Sequence, residues 1–457
     1  MGNSPLFQHQ IKAIELCKSR PSCALFMDTG TGKTRTALEV IRIRKVHTLI
    51  VCPLSTLTPV WLAEIQQWTP EIPCIDLHEA LQKKGREPRV PDEVPAIFLI
   101  NYESLKKVPR NVMAKIQFIV LDESAKIRNP GTHITQLMMT LFDMPYRLLL
   151  SGCPAPNTLL EYFPQLYFVD RSIFQPHYTG RFRSDYYRFR AINFFNANKI
   201  GGYFLPIAKR GAKESIANLV AKVAFQCSKS HCLDLPPQVY EQRFCEMTLE
   251  QAKVYTALLH HNIAEFKDSV VLGANELAKI MKLRQITSGF FIDDGGTETT
   301  LSDSKYNLLQ NTLEEIGGHR VIIWCQFHKE IHRILELLGD KAVPFYGEQN
   351  VNEKNEALRR FKSGEAQYFI AHPASGGYGL NLTECCYAVY FSGSYSYEMR
   401  KQSEDRIYRA GQTQKVTYID LIVPGTIDEV LCRAVKAKRN LSDAVLDMIH
   451  QANMQGG

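Results

Sequence analysis

The octapeptide MDTGTGKT, Met27–Thr34, decides the fold of this chain. It follows the apolar run CALFMD and precedes the amphipathic stretch KTRTALEVIRIR, an order that predicts a strand, a tight turn and a helix. In that context small residues let backbone N–H groups close around phosphates, and the helix N-terminus adds a positive field. The alternative is a glycine turn carrying a surface lysine, and the strand–turn–helix context argues against it.

The loop predicts a nucleoside triphosphate site. Lys33 can reach the β and γ phosphates, and Thr34 can hold Mg²⁺. The strict pattern has glycine where Met27 stands, so the match is to GKT and its flanking turn. The residues that we predict to bind the nucleotide here are Thr29, Gly30, Thr31, Gly32, Lys33 and Thr34.

A second motif, FIVLDES, ends another apolar run with the adjacent carboxylates of Asp122 and Glu123. Two charges at the exposed end of a buried strand are costly unless they are used. Phosphoryl transfer needs one carboxylate to hold Mg²⁺ and another to orient or deprotonate water. We assign the metal to Asp122, with Thr34, and the water to Glu123.

The rest of the chain repeats the alternation of strand and helix, which predicts parallel sheets covered by helices. Strands are predicted in CALFMD, HTLIVCP, AIFLINY, FIVLDE and YRLLLSG, and again after about residue 319 in VIIWCQF, AVPFYG, YFIAHP, AVYFSG and VTYIDLIV. Between these units, helical and aromatic-basic segments dominate, and DLPPQVY predicts a crossover. The motif TIDE, from Thr426, predicts a capping box before a long helix.

The totals set limits on the class of protein. A chain of 457 residues is too long for one core, and its net charge of +7 suits a polyanionic partner without requiring one. No run of about 20 apolar residues predicts a membrane span. The N-terminal MGNSPLFQHQIKAIELCKSR resembles no secretory signal, and MGNSPL lacks the Ser or Thr of a myristoylation signal, so we expect a cytoplasmic protein.

The twelve cysteines are scattered, and many, such as Cys52 and Cys325, lie in apolar runs, which predicts buried reduced thiols. The cluster CSKSHC brings Cys227, His231 and Cys232 together, with Cys245 further on. Because no second ligand pair follows at a usual spacing, we expect no zinc there.

Taken in order, the motifs resemble helicase superfamily 2, and within it the Swi/Snf-like DNA-translocating ATPases. The resemblance is carried by LFQHQ, MDTGTGKT, LIVCPLSTLTPVWLAEIQQW, INYESL, LDESAKIRNP, LLLSGCPAPN, DLPPQVYEQRFCEMTLEQAKVYTAL, VIIWCQF, PASGGYGLNL, QSEDRIYRAGQ and GTIDEVLCRAVKAK. It covers most of the chain, and IRNP, LNL and RAGQ favour the Swi/Snf branch over the RNA-directed branches.

The resemblance implies an α/β fold of two RecA-like lobes with parallel sheets and a helical insertion between them. It implies an N-terminal ATP-binding lobe over residues 1–234, with the insertion after about 158. A C-terminal helicase lobe with a brace helix would cover residues 235–457. The cofactors implied are ATP and Mg²⁺.

The resemblance also assigns residues. Gln10 would read adenine, and Gly379 would lie at the nucleotide. Arg406 and Arg409, three apart and so on one face of a helix, would act as arginine fingers in cis, joined on that face by Gln402. The alternative is a solvated basic helix. Four polar residues at strand ends would contact the DNA backbone without reading bases, namely Ser55, Asn101, Gln326 and Ser375.

Three positions depart from the family's pattern. Ala125 stands where histidine is usual, which puts the coupling of the nucleotide site to the SGCPAPN motif in doubt. Tyr408 stands where histidine is common, and Cys153 replaces the usual threonine.

A further basic segment leaves two interpretations open. RFRSDYYRFR, Arg181 to Arg190, interleaves arginines and aromatic rings, which suits phosphate contact and stacking. It equally suits a helix that packs its rings on the lobe and leaves its arginines in water. The basic residues of KIGGYFLPIAKRGAK allow the same two interpretations.

These inferences predict a monomeric, ATP-dependent motor that moves along double-stranded DNA without sequence preference. We expect it to act in repair, recombination or displacement of bound proteins, in a bacterial or viral setting, or in a nucleus if the source is eukaryotic. One alternative is a strand-separating DNA or RNA helicase. Another is a nucleotide-gated, non-catalytic DNA-binding subunit. Protein partners cannot be read from the sequence.

Overall fold

The computed structural model describes residues 5–82, 90–91, 94–175, 178–196, 206–266, 274–293, 295–376, 380–394 and 396–437. The described residues up to Asp234 form one compact unit, unit 1, and those from Leu235 onward form another, unit 2. No helix within these ranges is long and apolar enough to cross a membrane.

Unit 1 is built on a seven-stranded parallel sheet. Its nine strands are β1 (Ser22–Met27), β2 (Thr48–Cys52), β3 (Cys74–Asp76), β4 (Ile97–Asn101), β5 (Phe118–Asp122), β6 (Tyr146–Ser151), β7 (Phe194–Asn196), β8 (Pro206–Ala208) and β9 (Ala224–Cys227). The order in the sheet is β3-β4-β2-β5-β6-β1-β9, and β7 pairs with β8 as a small antiparallel ribbon. All five strands predicted for this part of the chain are present.

The strands are apolar along their whole length because both faces of the sheet are covered. In β1, Ala24 and Phe26 belong to one core cluster, whereas Leu25 and Met27 belong to another on the opposite face. The helices that supply this cover are α1 (Gln8–Ser19), α2 (Lys33–Arg44), α3 (Leu54–Thr56), α4 (Ala63–Trp68), α5 (Leu77–Gln82), α6 (Arg110–Met113), α7 (His133–Thr140), α8 (Tyr162–Val169), α9 (Phe182–Asn193), α10 (Ala212–Val223) and α11 (Lys229–Cys232). A π-helical turn, Leu57–Leu62, joins α3 to α4.

Unit 2 repeats this architecture with a six-stranded parallel sheet. Its strands are β10 (Gln238–Phe244), β11 (Phe290–Ile292), β12 (Glu298–Thr300), β13 (Val321–Trp324), β14 (Ala342–Phe345), β15 (Tyr368–Ala371), β16 (Tyr387–Tyr390) and β17 (Val416–Ile422). The sheet order is β10-β17-β16-β13-β15-β14, and β11 pairs with β12 outside it. Alternate residues again serve two cores, with Ile322 and Trp324 in one and Val321 and Ile323 in the other.

The helices of unit 2 are α12 (Leu249–Phe266), α13 (Ala274–Thr287), α14 (Ser304–Ile316), α15 (His328–Leu338), α16 (Val351–Ser363), α17 (Pro373–Gly376), α18 (Tyr397–Glu404) and α19 (Ile427–Lys436). The predicted start of α19 is confirmed, because the Thr426 side chain accepts a hydrogen bond from the Asp428 N–H. Glu429 does not complete the predicted box and instead accepts from the Gly425 N–H, at 3.1 Å.

Two parallel sheets, each with helices on both faces, are the predicted α/β fold of RecA-like lobes. The carboxyl ends of β1, β5 and β6 lie at one edge of the sheet of unit 1, since these strands are parallel neighbours. In open α/β sheets that edge is where ligands bind.

Candidate nucleotide site

The loop after β1 folds as its glycines require. Gly30 and Gly32 have φ values of 85° and 86°, in the left-handed region that glycine enters without steric cost. Gly32 has a second constraint, since a Cβ there would lie 2.4 Å from Nε2 of Gln10. Thr31 fixes the turn by donating from its hydroxyl to the Asp28 carbonyl, at 2.7 Å. The two glycine conformations and the Thr31 hydrogen bond therefore fix the shape of the loop.

Lys33 lies folded over this loop. Its ammonium group donates to the carbonyl of Met27 at 2.8 Å and to that of Asp28 at 3.2 Å. Gly152, just after β6, lies close to the phosphate loop. A Cβ at this position would lie 2.6 Å from the Thr29 hydroxyl and 3.4 Å from the Lys33 nitrogen. Side chains are thus excluded where a phosphate chain would lie, and the loop, the lysine and the start of α2 fit a triphosphate.

Gln10 ties the N-terminal helix to the loop. Its Oε1 accepts from the Phe7 N–H at 2.8 Å, and its Nε2 donates to the Gly32 carbonyl at 3.1 Å. Only 3% of Gln10 is exposed. The structure therefore places this residue against the phosphate loop, and its reading of adenine stays a prediction.

Asp122 is the last residue of β5, and both of its carboxylate oxygens accept hydrogen bonds. Oδ2 accepts from the indole N–H of Trp61 at 2.8 Å, and Oδ1 accepts from the Glu123 N–H at 3.0 Å. Burial raises the pKa of Asp122, while the Trp61 hydrogen bond and the charge of Lys33 oppose that rise. Each oxygen keeps a further lone pair, which suits Mg²⁺. Thr34, the second residue of α2, stays the other predicted ligand.

Glu123 adopts an unusual backbone conformation, with φ of 52°. A non-glycine residue in the left-handed region costs of order 1–3 kcal/mol and is concentrated at functional sites. A hydrogen bond stabilises the backbone before this residue, since the Tyr102 hydroxyl donates to the Asp122 carbonyl at 2.7 Å. The conformation supports a functional role for Glu123.

A buried glutamine connects the DESA turn with the SGCPAP segment. The Oε1 of Gln165 accepts from the Ser124 hydroxyl at 2.8 Å. Its Nε2 donates to the carbonyls of Pro154 at 2.6 Å and Glu161 at 3.0 Å. Gln165 is fully buried, so these contacts are shielded from water.

In unit 2, the prediction that Arg406 and Arg409 share a helix face with Gln402 is wrong. The helix α18 ends at Glu404, and both arginines lie in the turns that follow. The two guanidinium groups nevertheless lie close together, because both donate to the carbonyl of Leu380. Nη1 of Arg406 does so at 3.4 Å and Nη1 of Arg409 at 3.2 Å. Gln402 lies on α18 and contributes its carbonyl, which accepts from Nε of Arg406 at 2.9 Å.

Contacts with distant segments hold the chain around the end of α18. The Leu382 N–H donates to the Arg406 carbonyl at 3.0 Å, which draws the chain towards the PASGGYGLNL segment. One turn earlier, Arg400 is fixed by ion pairs to Glu404 and Asp420 and lies 3.4 Å from the ring centre of Tyr390. The predicted nucleotide residue Gly379 lies outside the described residues.

The four predicted DNA contacts differ in exposure. Ser55 is exposed on α3, after β2, and Ser375 is half-buried on α17. Asn101 is only 4% exposed, and its Nδ2 donates to Glu103 at 2.8 Å. Nε2 of Gln326 lies 2.9 Å from Nε2 of His372. A role in DNA binding stays a prediction for all four.

For the RFRSDYYRFR segment, the structure favours the packing interpretation. It forms the start of α9, where Phe182, Tyr186 and Phe189 surround Phe163 with ring centres 5.0–5.9 Å away. Arginines at positions 181, 183 and 188 are exposed, so the charges line the outer face of the helix.

The cysteine cluster differs from its prediction in two ways. Cys227 and Cys232 form a disulfide, whereas Cys52 and Cys325 are buried free thiols as predicted. His231 binds the Ser228 hydroxyl instead, and the histidine that meets the two cysteines is His9. No local spacing signals that contact, because His9 lies at the other end of unit 1.

Sequence reasoning also missed Trp61, Gly152 and Gln165. Trp61 lies inside a motif that was recognised, and an indole N–H buried among apolar residues is a signal that it has a partner. Gly152 also lies inside a recognised motif, LLLSGCPAPN, whereas Gln165 gave no signal. The contacts of both residues depend on which segments the sheet brings together.

The fold and this site define a nucleotide-binding, helicase-like ATPase of two RecA-like lobes. Residues 9–289 match the model of the SNF2-related domain, and residues 304–411 match that of the helicase conserved C-terminal domain. The chain therefore belongs to the SNF2-related family, a class of helicase-like, DNA-dependent ATPases.

Individual relatives are distant. The chromodomain-helicase-DNA-binding protein 1-like of Danio rerio is 24% identical over 96% of this chain and 43% of that protein. The putative protein p41 of Acyrthosiphon pisum secondary endosymbiont phage 1 is 25% identical over 92% of this chain and 93% of its own length. The SWI2/SNF2 ATPase core of Sulfolobus solfataricus in complex with dsDNA superposes with a TM-score of 0.44 at 22% identity, covering 95% of this chain and 91% of that one. The chain thus spans less than half of the zebrafish protein and nearly all of the phage protein.

Proposed function

We propose that this protein hydrolyses ATP in response to double-stranded DNA and uses the energy to move along the duplex. The observation that carries the proposal is the loop at the end of β1, where Lys33, Gly152 and the carboxylate of Asp122 leave a place shaped for a triphosphate. Membership of the SNF2-related family and the name of the zebrafish relative support DNA as the partner.

Each residue has a chemical role in this proposal. Backbone N–H groups of residues 29–34 bind the phosphates, and Lys33 exchanges its loop carbonyls for β- and γ-phosphate oxygens. Mg²⁺, held by Thr34 and Asp122, would neutralise charge on those oxygens. Glu123 accepts the proton of the attacking water.

Unit 2 would supply the arginines. Their guanidinium groups stabilise the charge that develops on the γ-phosphate, which makes hydrolysis depend on closure of the two units. Ser55, Asn101, Gln326 and Ser375 would contact one strand's backbone, so binding would be independent of sequence and sensitive to salt. Repeated closure and opening would then step the protein along the duplex.

ATP hydrolysis measured with several nucleic acids tests the proposal. We expect blunt duplex DNA to stimulate the rate more than single strands, forks, Holliday junctions or RNA do. Duplex should also be required for displacement of a bound triplex strand. RNA stimulation equal to that by duplex DNA would overturn the assignment of substrate, and efficient strand separation would favour a helicase instead.

A further inference from the structure

A cluster of metal-binding side chains lies beside the phosphate loop and takes no part in the proposed hydrolysis. A ring nitrogen of His9 and the Sγ atoms of Cys227 and Cys232 all lie within 4.8 Å of one another. His9 and Cys227 are buried, and Cys232 is half-buried. Two sulfurs and an imidazole are the ligands that Zn²⁺ prefers, and four residues between the cysteines is a usual spacing for a zinc pair.

The histidine is held as zinc-binding histidines are. Its Nε2 lies 2.8 Å from the Thr31 carbonyl, and a carbonyl only accepts, so Nε2 carries the proton. The lone pair is therefore on Nδ1, the nitrogen left to bind a metal. A backbone carbonyl that fixes the tautomer of a ligating histidine is the usual outer contact of such sites. Phe7 stacks on the ring at 5.5 Å and fixes its plane.

We propose that Cys227, Cys232 and His9 bind one Zn²⁺ when their disulfide is reduced. A dithiol of the cell would supply two electrons and two protons and become a disulfide itself, which leaves two thiols on this chain. Zinc binding then releases both thiol protons, and a water completes the tetrahedron. Local spacing argued against zinc, but the third ligand comes from the other end of unit 1.

This site is connected to the phosphate loop by hydrogen bonds. The Asp28 N–H donates to the Cys227 carbonyl at 2.9 Å, and the Lys229 N–H donates to the Asp28 carboxylate at 3.0 Å. His9 reaches the same loop through Thr31. Zinc would join α1, the end of β9 and the loop, so it should raise the midpoint of thermal unfolding in reduced protein.

The test uses the 457-residue chain purified with a thiol reductant, reconstituted with Zn²⁺ or Co²⁺ and freed of excess metal. We expect about one zinc per chain and the thiolate-to-cobalt charge-transfer band of a tetrahedral site. Protein with the disulfide intact should hold no metal. Reduced protein that binds no metal at saturating Zn²⁺ would overturn the proposal.

Matched variants identify the ligands. Cys232→Ser and His9→Gln should lose the zinc and the cobalt band, whereas Cys245→Ser and His231→Gln should keep both. His231 is the histidine that the local sequence offers, so the pair of histidine variants separates the two assignments. Retention of zinc by His9→Gln, with loss in His231→Gln, would contradict the site.

A second inference concerns Ala125 and rests on the proposed function. The resemblance places a histidine there to couple the nucleotide site to the SGCPAPN motif, and alanine cannot form a hydrogen bond. The buried amide of Gln165 spans the same two segments, from the Ser124 hydroxyl to the Pro154 carbonyl. We infer that Gln165 is a positioning residue that couples DNA engagement to hydrolysis in place of the histidine.

The variant Gln165→Leu tests this inference, because it nearly keeps the side-chain volume and removes all three hydrogen bonds of the amide. We expect the ratio of DNA-saturated to DNA-free ATPase rate to fall roughly threefold or more, with the KM for ATP unchanged. Ser124→Ala, which removes only the hydroxyl, should lower the ratio in the same direction. Exposed Gln136→Leu, on α7 of the same unit, is the control.

The outcomes separate the two proposals. Wild-type protein that DNA does not stimulate would overturn the proposed function, and the coupling role with it. Stimulated wild type with unchanged ratios in both Gln165→Leu and Ser124→Ala would overturn the coupling role alone.

Discussion

The two regions that the proposed chemistry needs are built differently. In unit 1, Lys33 begins α2 and donates to carbonyls of the loop before it, whereas Asp122 ends β5 and accepts from the indole of Trp61. In unit 2, Arg406 and Arg409 lie in turns after a helix and share one carbonyl, that of Leu380. The first region is held by contacts within unit 1, whereas the second gains its proposed role only by meeting a phosphate.

We therefore expect the unit 1 residues to affect ATP binding and the unit 2 arginines to affect the rate of hydrolysis. Under the proposed function, the preorganised loop would bind ATP whether or not the other unit takes part, so its residues should affect affinity. Groups that meet charge only in the transition state should affect the rate alone. The following experiments test that division, from the largest expected effect to the smallest.

The largest effect is expected for Arg409→Ala. Turnover with saturating duplex DNA should fall by on the order of 10³-fold or more, the usual scale for an arginine finger. Binding of ATP to the DNA-free protein should remain, whereas Lys33→Ala should weaken both. Arg409→Lys should not restore the rate, because a point charge cannot replace the planar fork.

Steady-state hydrolysis and titration with a fluorescent ATP analogue measure these two quantities. Arg406→Ala should resemble Arg409→Ala, and Arg433→Ala, at an exposed arginine of α19, is the control. A near wild-type rate for Arg409→Ala would show that these arginines only stabilise the turns of unit 2.

Arg400 should behave in the opposite way, although it lies in the same stretch. It is 8% exposed and paired with Glu404 and Asp420. Arg400→Met should lower the free energy of unfolding by about 3 kcal/mol, because two buried carboxylates lose their partner. Urea unfolding followed by circular dichroism measures this change.

The same charge network offers an internal check. Replacing Glu404 by Gln and Asp420 by Asn in the Arg400→Met protein should recover part of the loss, since no uncompensated charge remains. Arg433→Ala should change stability by less than about 0.5 kcal/mol. Equal stability of wild type and Arg400→Met would mean that the ion pairs contribute nothing.

Glu123→Gln tests the water-activating role within unit 1. The amide keeps the shape but cannot accept a proton, so turnover should fall roughly 10²-fold while ATP still binds. Glu71→Gln, at an exposed carboxylate of the same unit, should leave the rate unchanged. Single-turnover hydrolysis is the measurement, and an unaltered rate would remove Glu123 from the mechanism.

The smallest effect is expected for Trp61→Phe, which deletes the donor to Asp122. Burial already raises the pKa of this carboxyl, and the Trp61 hydrogen bond opposes the rise, so its loss should raise the pKa further. Because Mg²⁺ binds the ionised form, the acid limb of the ATPase pH profile should move to higher pH. At a pH above the acid limb, the ATPase rate of Trp61→Phe should be less than about tenfold below that of the wild type.

Trp68→Phe is the matched control, since its indole donates to Glu64 and not to the site. An acid limb that moves equally in both variants would mean that the shift comes from packing. No movement in either would mean that the Trp61 hydrogen bond does not set the ionisation of Asp122.

The sequence by itself determined the elements and the phosphate loop. The bounds of α2 agree with the stretch KTRTALEVIRIR, and every predicted strand is present. These features could be predicted because periodicity, apolar runs and glycine turns are encoded by neighbouring residues. The family could also be predicted, because its motifs are short local stretches that occur in the expected order along the chain.

Only the tertiary structure decided which distant side chains meet. The end of α18 before Arg406, the indole on Asp122, the amide of Gln165 and the approach of His9 to two cysteines all depend on long-range packing. Each contact joins segments that the sheet brings side by side, and no local pattern records which neighbours a strand will have. Local free energies set the elements, whereas burial of both faces of each sheet set these contacts.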